Sequence, residues 1–146
     1  MALPSSREEI VWKLHLASPP GDVFTLLSTD EGRERFWCER SRQSGGRIAM
    51  HFINGVETET LVGTSEPPSR IAFRYFGTDV VFELASDGEG GTDLTLRNRG
   101  VAGDEYEEVL AGWLNVLFPL KGVADFGIDL RSHDPARLWD DGYIDQ

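Results

Sequence analysis

The sequence predicts an α+β domain: a curved antiparallel sheet of about seven strands wrapped around one long C-terminal helix, with two short helices after the first strand. Three observations carry this reading. Between residues 39 and 99, apolar and polar side chains alternate in short runs separated by turn signals. From Val109 to Ala124 the apolar residues recur at helical spacing instead. A hairpin-linked antiparallel sheet must bury one face, and a single amphipathic helix near 25 residues long is its natural cover.

Each element has its own cause. Residues 9–16 place Ile10, Trp12, Leu14 and Leu16 on one face, the period of a strand. Ser18-Pro19-Pro20 breaks that strand and suits a first helical turn, and Val23, Phe24, Leu26 and Leu27 give the helix its apolar face. A second short helix runs from Asp30 to about Trp37, with Thr29 or Asp30 as N-cap and Phe36-Trp37 as its apolar anchor. The segment 39–43 is short and polar, as a sheet edge requires. Gly45-Gly46 turns into 47–53, where Ile48, Met50 and Phe52 share a face. Asn54-Gly55 is a two-residue hairpin signal. Residues 56–65 put Thr58, Thr60, Val62 and Thr64 on one face, and Pro67-Pro68 turns the chain. Residues 70–76 align Ile71, Phe73 and Tyr75; residues 79–85 align Val80, Phe82 and Leu84; residues 92–99 align Thr92, Leu94, Leu96 and Asn98.

The last element spans about Asp104 to Ile128. Asp104 is the N-cap candidate, and Glu105, Glu107 and Glu108 suit the positive end of the helix dipole. Val109, Leu110, Trp113, Val116, Leu117, Leu120, Val123 and Ala124 fall within roughly 140° of arc. Pro119 removes a backbone donor inside this stripe, which places a kink or break near Asn115 to Phe118. Phe118 and Phe126 lie off the stripe and need another cover.

The chain of 146 residues, 40% hydrophobic, reads as one domain over 1–146 with its core at about 8–130. Residues 131–146 differ in kind. They are polar and acidic, yet Leu138, Trp139, Tyr143 and Ile144 are too apolar for a merely solvated end. The expectation is a tail that folds back on its own domain or on a partner subunit and covers Phe118 or Phe126.

The formal charge is −11, from 14 basic and 25 acidic side chains. Such a chain repels polyanions, which argues against nucleic acid as a partner. The one locally basic stretch, Arg33 to Arg47, mixes five Arg with Glu34 and Glu39 and reads as a solvated face. The N-terminus lacks an apolar run followed by a cleavage site, no stretch has the roughly 18 uninterrupted apolar residues of a membrane span, and Cys38 is the sole cysteine. The expectation is a soluble, cytoplasmic protein without membrane insertion, with Cys38 packed beside Trp37.

A curled sheet and one helix leave space between them, and such apolar hollows hold small ligands. The candidate lining is Trp12, Met50, Phe52, Phe73 and Phe82 from the sheet and Trp37 from the second helix. Trp113, Leu117 and Leu120 come from the long helix, and Tyr75 and Asn98 are the polar members, each needing a hydrogen-bond partner. Catalytic patterns are sparse: there is no phosphate loop, no HExxH and no cysteine-based metal spacing. His15 and His51 alternate outward. His133 with Asp134, Asp140, Asp141 and Asp145 lacks any recognised ligand spacing, so the tail reads as an acidic surface and no metal or cofactor is expected.

The opening EIVWKLHLASPPGDVFTLLSTDEGRERFW resembles that of the START-like (SRPBCC) helix-grip superfamily in its strand, its Ala17-Ser18-Pro19-Pro20 step, its Val23-Phe24 pair and its Phe36-Trp37 end. EVLAGWLNVLFPLKG, with Gly112-Trp113, is similar to the branch named for activators of the ninety-kilodalton heat-shock chaperone ATPase. The resemblance covers about residues 8–130. Phe36-Trp37 stands where that branch usually has Trp-Trp, and Pro119 is a second departure. The resemblance implies a helix-grip fold and a small apolar ligand held between sheet and helix. It equally implies two alternatives: an interaction module, as a homodimer or in contact with a chaperone, and a cyclase- or aromatase-type enzyme using Tyr75, Asn98 or His51.

Overall fold

The alternating segments form one seven-stranded sheet, in a computed structural model that describes residues 3–146. Residues 1 and 2, part of the N-terminus read as lacking an export signal, lie outside the described residues. The strands are β1 (Glu9–Leu16), β2 (Arg40–Ser44), β3 (Arg47–His51), β4 (Glu57–Glu66), β5 (Arg70–Tyr75), β6 (Thr78–Ser86) and β7 (Thr92–Arg99). Their order is β1-β7-β6-β5-β4-β3-β2, every pair antiparallel. Period-two alternation fixes which face is buried: Ile48, Met50, Ile71, Phe73, Val80, Phe82, Leu94 and Leu96 all point into the core. The register shifts between Val62 and Ser65, so Thr58 and Thr60 keep to the inner side while Thr64 is exposed. Ser5 blunts the β1 edge: its hydroxyl donates to the Val11 carbonyl (2.9 Å) and accepts from the Val11 amide (2.8 Å).

Helices α1 (Pro20–Ser28) and α2 (Asp30–Phe36) follow β1. Thr29 caps α2, its hydroxyl accepting from the Gly32 amide at 3.0 Å. Gly32 is dictated by the crossing of the two helices, because a Cβ there would stand 2.5 Å from the Leu26 backbone. The β3–β4 hairpin is one residue longer than its Asn-Gly signal suggests. Phe52 pairs with Val56, and a turn from Phe52 to Gly55 is followed by Gly55 at φ +85°, a three-residue loop.

The expected single helix is two, α3 (Tyr106–Gly112) and α4 (Leu114–Phe126), and Glu105 rather than Asp104 occupies the N-cap, without a side-chain hydrogen bond. The interruption falls at Trp113, upstream of Asn115 to Phe118. Pro119 displaces the carbonyl four residues back, and Asn115 lies in the first turn of α4, directly after the break. Tyr106–Phe126 is long and apolar enough to cross a membrane by length and composition. Its Trp113, Leu117, Leu120 and Val123 are buried, the stripe of a core helix.

Two further expectations are overturned. Arg33 belongs to no solvated face: it is 0% exposed, donating to Ser41 Oγ (2.9 Å), the Leu27 carbonyl (3.0 Å), Asp30 (2.8 Å) and Gln43 (2.9 Å). The tail returns to its own domain but leaves Phe118 (56%) and Phe126 (69%) exposed. It is held instead through Arg131 and through Asn115 donating to the Ile144 carbonyl, while the Ser132 amide closes the tail on itself at the Asp145 carbonyl (2.7 Å).

Candidate functional site

A cavity of about 600 Å³ opens between the β3–β4 hairpin, the ends of β5 and β7, helix α3 and the tail. Of the eleven residues expected to line it, Trp37, Phe52, Tyr75, Asn98 and Trp113 do so. Met50, Phe73, Phe82, Leu117 and Leu120 are in the packed core beside it. Phe82 stands edge-on to Phe73 (6.1 Å between centroids) and to Trp113 (6.1 Å), and Trp37 meets Phe73 at 5.5 Å. These rings fill the middle of the space between sheet and helices, so the hollow lies at one end. Trp12 lies elsewhere; its indole donates to the Leu110 carbonyl (2.9 Å) and ties β1 to α3.

The polar floor is closely organised. Asn98 accepts from the Trp113 indole at 3.0 Å and donates to Thr78 Oγ1 (2.9 Å) and the Asp79 carbonyl (3.0 Å), so both amide hydrogens and one oxygen lone pair are engaged. It therefore orients Trp113. The Trp37 indole donates to the Tyr75 hydroxyl at 3.2 Å. Burial pushes the Tyr75 phenol well above its ordinary range, so it stays protonated, and its own hydrogen has no acceptor among the described residues. Cys38, also lining, is buried, and burial pushes its thiol up to about 12. It is a packed, inert thiol.

The rim carries Glu39, Glu105, Glu108 and Asp140, with Arg131 the one cation. Arg131 is spent: its guanidinium donates to the Cys38 carbonyl (3.0 Å), the Glu34 carbonyl (2.8 Å) and both oxygens of Asp129 (3.0 and 3.1 Å). Glu34 is in the last turn of α2 and Cys38 is two residues past its end, where a cation is favoured. His133 stands between Glu39 and Asp129, each ring nitrogen 2.6 Å from a carboxylate oxygen. Two acceptors match the two N–H donors of the protonated ring, and the Asp129 contact, with a smaller one from Glu39, raises its pKa against desolvation. His15 and His51 pair with Asp87 (2.8 Å) and Glu57 (3.0 Å) on the surface.

Sequence reasoning missed Phe76, Val101, Val109, Val116 and Trp139 as lining. Val109 and Val116 lay on the buried stripe. Phe76 sits in the turn before Gly77 at φ +48°, which alternation does not assign to a face. Trp139 was flagged only by the apolar excess of the tail.

The family model described as activator of Hsp90 ATPase homolog 1-like protein matches residues 17–125. No curated protein matches the chain. Among solved structures, SSP2350 from Staphylococcus saprophyticus is similar at 22% identity and a TM-score of 0.73, over 84% of this chain and 96% of that one. The Aha1 dimer from Colwellia psychrerythraea is similar at 20% and 0.71, over 82% and 97%. DynU16, a putative protein in the dynemicin biosynthetic locus, is similar at 20% and 0.71, over 84% of this chain and 49% of that one. At these identities the likeness is one of fold.

Proposed function

The chain belongs to the activator of Hsp90 ATPase homolog 1-like family, with the helix-grip fold of the START-like superfamily, and from that premise we propose that it binds a small, largely apolar molecule in the cavity at the α3 end of the sheet. The observation that carries this reading is the aromatic wall of Trp37, Phe52, Tyr75, Phe76 and Trp113 around about 600 Å³ of space. A base- or thiolate-driven reaction draws less support, since Tyr75 and Cys38, titratable groups inside the wall, are both held protonated.

Calorimetric titration of the full chain with anthracenemethanol, an uncharged aromatic probe, tests the reading. Saturable binding of one molecule per chain is expected, with stabilisation of about 2.7 kcal/mol at a hundredfold excess over Kd. No binding would overturn it.

A second reading, an interaction module that pairs with its own copy, is favoured by the exposed apolar patch of Phe118, Phe126, Ile128 and Leu130. The similar Colwellia protein is described as a dimer, and the family name carries a chaperone ATPase. Sedimentation of the wild type beside Phe118→Ser/Phe126→Ser decides: a dimer lost on substitution supports the reading, and a wild-type monomer removes the homodimer.

A further inference from the structure

We propose that the cavity selects aromatic amines: its ligand lays a ring system against Trp37, Tyr75 and Trp113 and turns an ammonium group toward Glu105, Glu108 and Asp140 at the mouth. The inference rests on the cavity reading above and adds the charge and chemical class of what is bound. Two independent features of the lining carry it, the rim for the charge and the wall for the skeleton.

The first is the balance of ions at the rim. Four carboxylates line the cavity against one guanidinium. Glu39 is engaged by His133 (2.6 Å), and Arg131 is consumed by Asp129 and two backbone carbonyls. Glu105, Glu108 and Asp140 make no ion pair among the described residues and are exposed at the opening. An entering anion meets their combined field with no free cation among the described lining residues to offset it, whereas an ammonium group is drawn to them. The second is the wall itself. Trp37 lies 5.3 Å from Tyr75 and 6.2 Å from Trp113, Tyr75 lies 4.7 Å from Phe76, and Phe52 lies 5.9 Å from Phe76, centroid to centroid. A wall of interlocked rings suits an aromatic skeleton stacked against it. A fatty acid or an aryl phosphate would satisfy the apolar wall and be repelled at the mouth.

The test uses three probes that share one skeleton and differ in charge: aminomethylanthracene, anthracenemethanol and anthracenecarboxylate, each titrated into the full chain at low and at high salt. The amine is expected to bind roughly tenfold more tightly than the alcohol at low salt and the carboxylate more weakly than either, with the spread shrinking at high salt. In Glu105→Gln/Glu108→Gln, two exposed positions, the ratio of amine to alcohol affinity falls toward one. Equal binding of all three, or preference for the carboxylate, overturns the charge selection and leaves the cavity reading standing. Failure of all three to bind overturns both. Persistence of the amine preference in the double variant, through high salt, would show that the rim carboxylates are not its source.

Discussion

Replacing Gly112 with Leu separates the cavity from the fold. Gly112 is the last residue of α3 and lines the cavity, and a Cβ built on it meets no heavy atom within 4 Å. Two effects of opposite sign follow. Glycine in a helix costs about 0.5–1 kcal/mol relative to alanine, because its backbone loses more freedom on folding. Gly112→Ala therefore raises stability by about that amount, a Tm gain of roughly 1–4 °C for a chain of this length. Gly112→Leu keeps most of the backbone gain but places an isobutyl group beside Trp113, Val109 and Val116, in the space a ligand needs. Binding of anthracenemethanol weakens at least tenfold, about 1.4 kcal/mol. Calorimetric unfolding and probe titration are run on wild type, Ala and Leu variants together. The expected pattern is stable and binding for Ala, stable and non-binding for Leu. Unchanged binding by the Leu variant would refute the location of the site, and a loss of more than about 1 kcal/mol in the Ala variant would refute the open space at Gly112.

Three other outcomes follow from the same geometry. Arg131→Met removes the donors to the Glu34 and Cys38 carbonyls and leaves Asp129 without its main partner; since Asp129 is about one-third exposed, the cost is near the low end for a broken buried pair, about 3 kcal/mol, or roughly 6–12 °C in Tm, measured by calorimetry. Asn98→Leu strands the Trp113 indole N–H, whereas Thr78 keeps its donation to the Tyr75 carbonyl; the variant costs about 1–3 kcal/mol in urea unfolding and weakens the probe through a displaced Trp113. Tail docking depends on pH at both ends. The raised pKa of His133 gives stability that is complete below its unfolded value of about 6.5 and is lost as pH rises through the folded value. Burial raises Asp129, but the Arg131 and His133 donors outweigh it and hold it at about 2, so its contribution is present above about 4 and lost as pH falls toward 2. Protection of the Ser132 and Tyr143 amides from hydrogen exchange, relative to the intrinsic rate at each pH, is therefore greatest between about pH 4 and 6.5, and His133→Gln removes the alkaline limb.

The sheet was legible because alternation leaves a one-residue register slip no freedom once one face is buried. β1 and the hairpin order of the later strands follow from that, while α1 and α2 follow from the Pro19-Pro20 step, the Thr29 cap and their apolar faces. The helix break was misplaced because the sequence shows where a proline sits but not which nearby turn yields to it. Arg33 looked solvated among mixed charges because its partners, Ser41, Gln43 and the Leu27 carbonyl, come together only when β2 packs against α2. The site was half legible for a similar reason. An inward face can be read from period, yet whether an inward ring fills the core, as Phe73 and Phe82 do, or borders a hollow, as Tyr75 and Trp37 do, depends on how neighbouring rings interlock. Trp139 reaches the wall through the tail's return, which no periodicity encodes.

Native mass spectrometry of the protein purified gently from its own host tests the central claim most directly. The account predicts a species heavier than the 16.3 kDa chain by the mass of one small organic molecule, present in wild type and absent from Gly112→Leu. A bare chain in both, with no mass gained on adding aminomethylanthracene or anthracenemethanol, would contradict it.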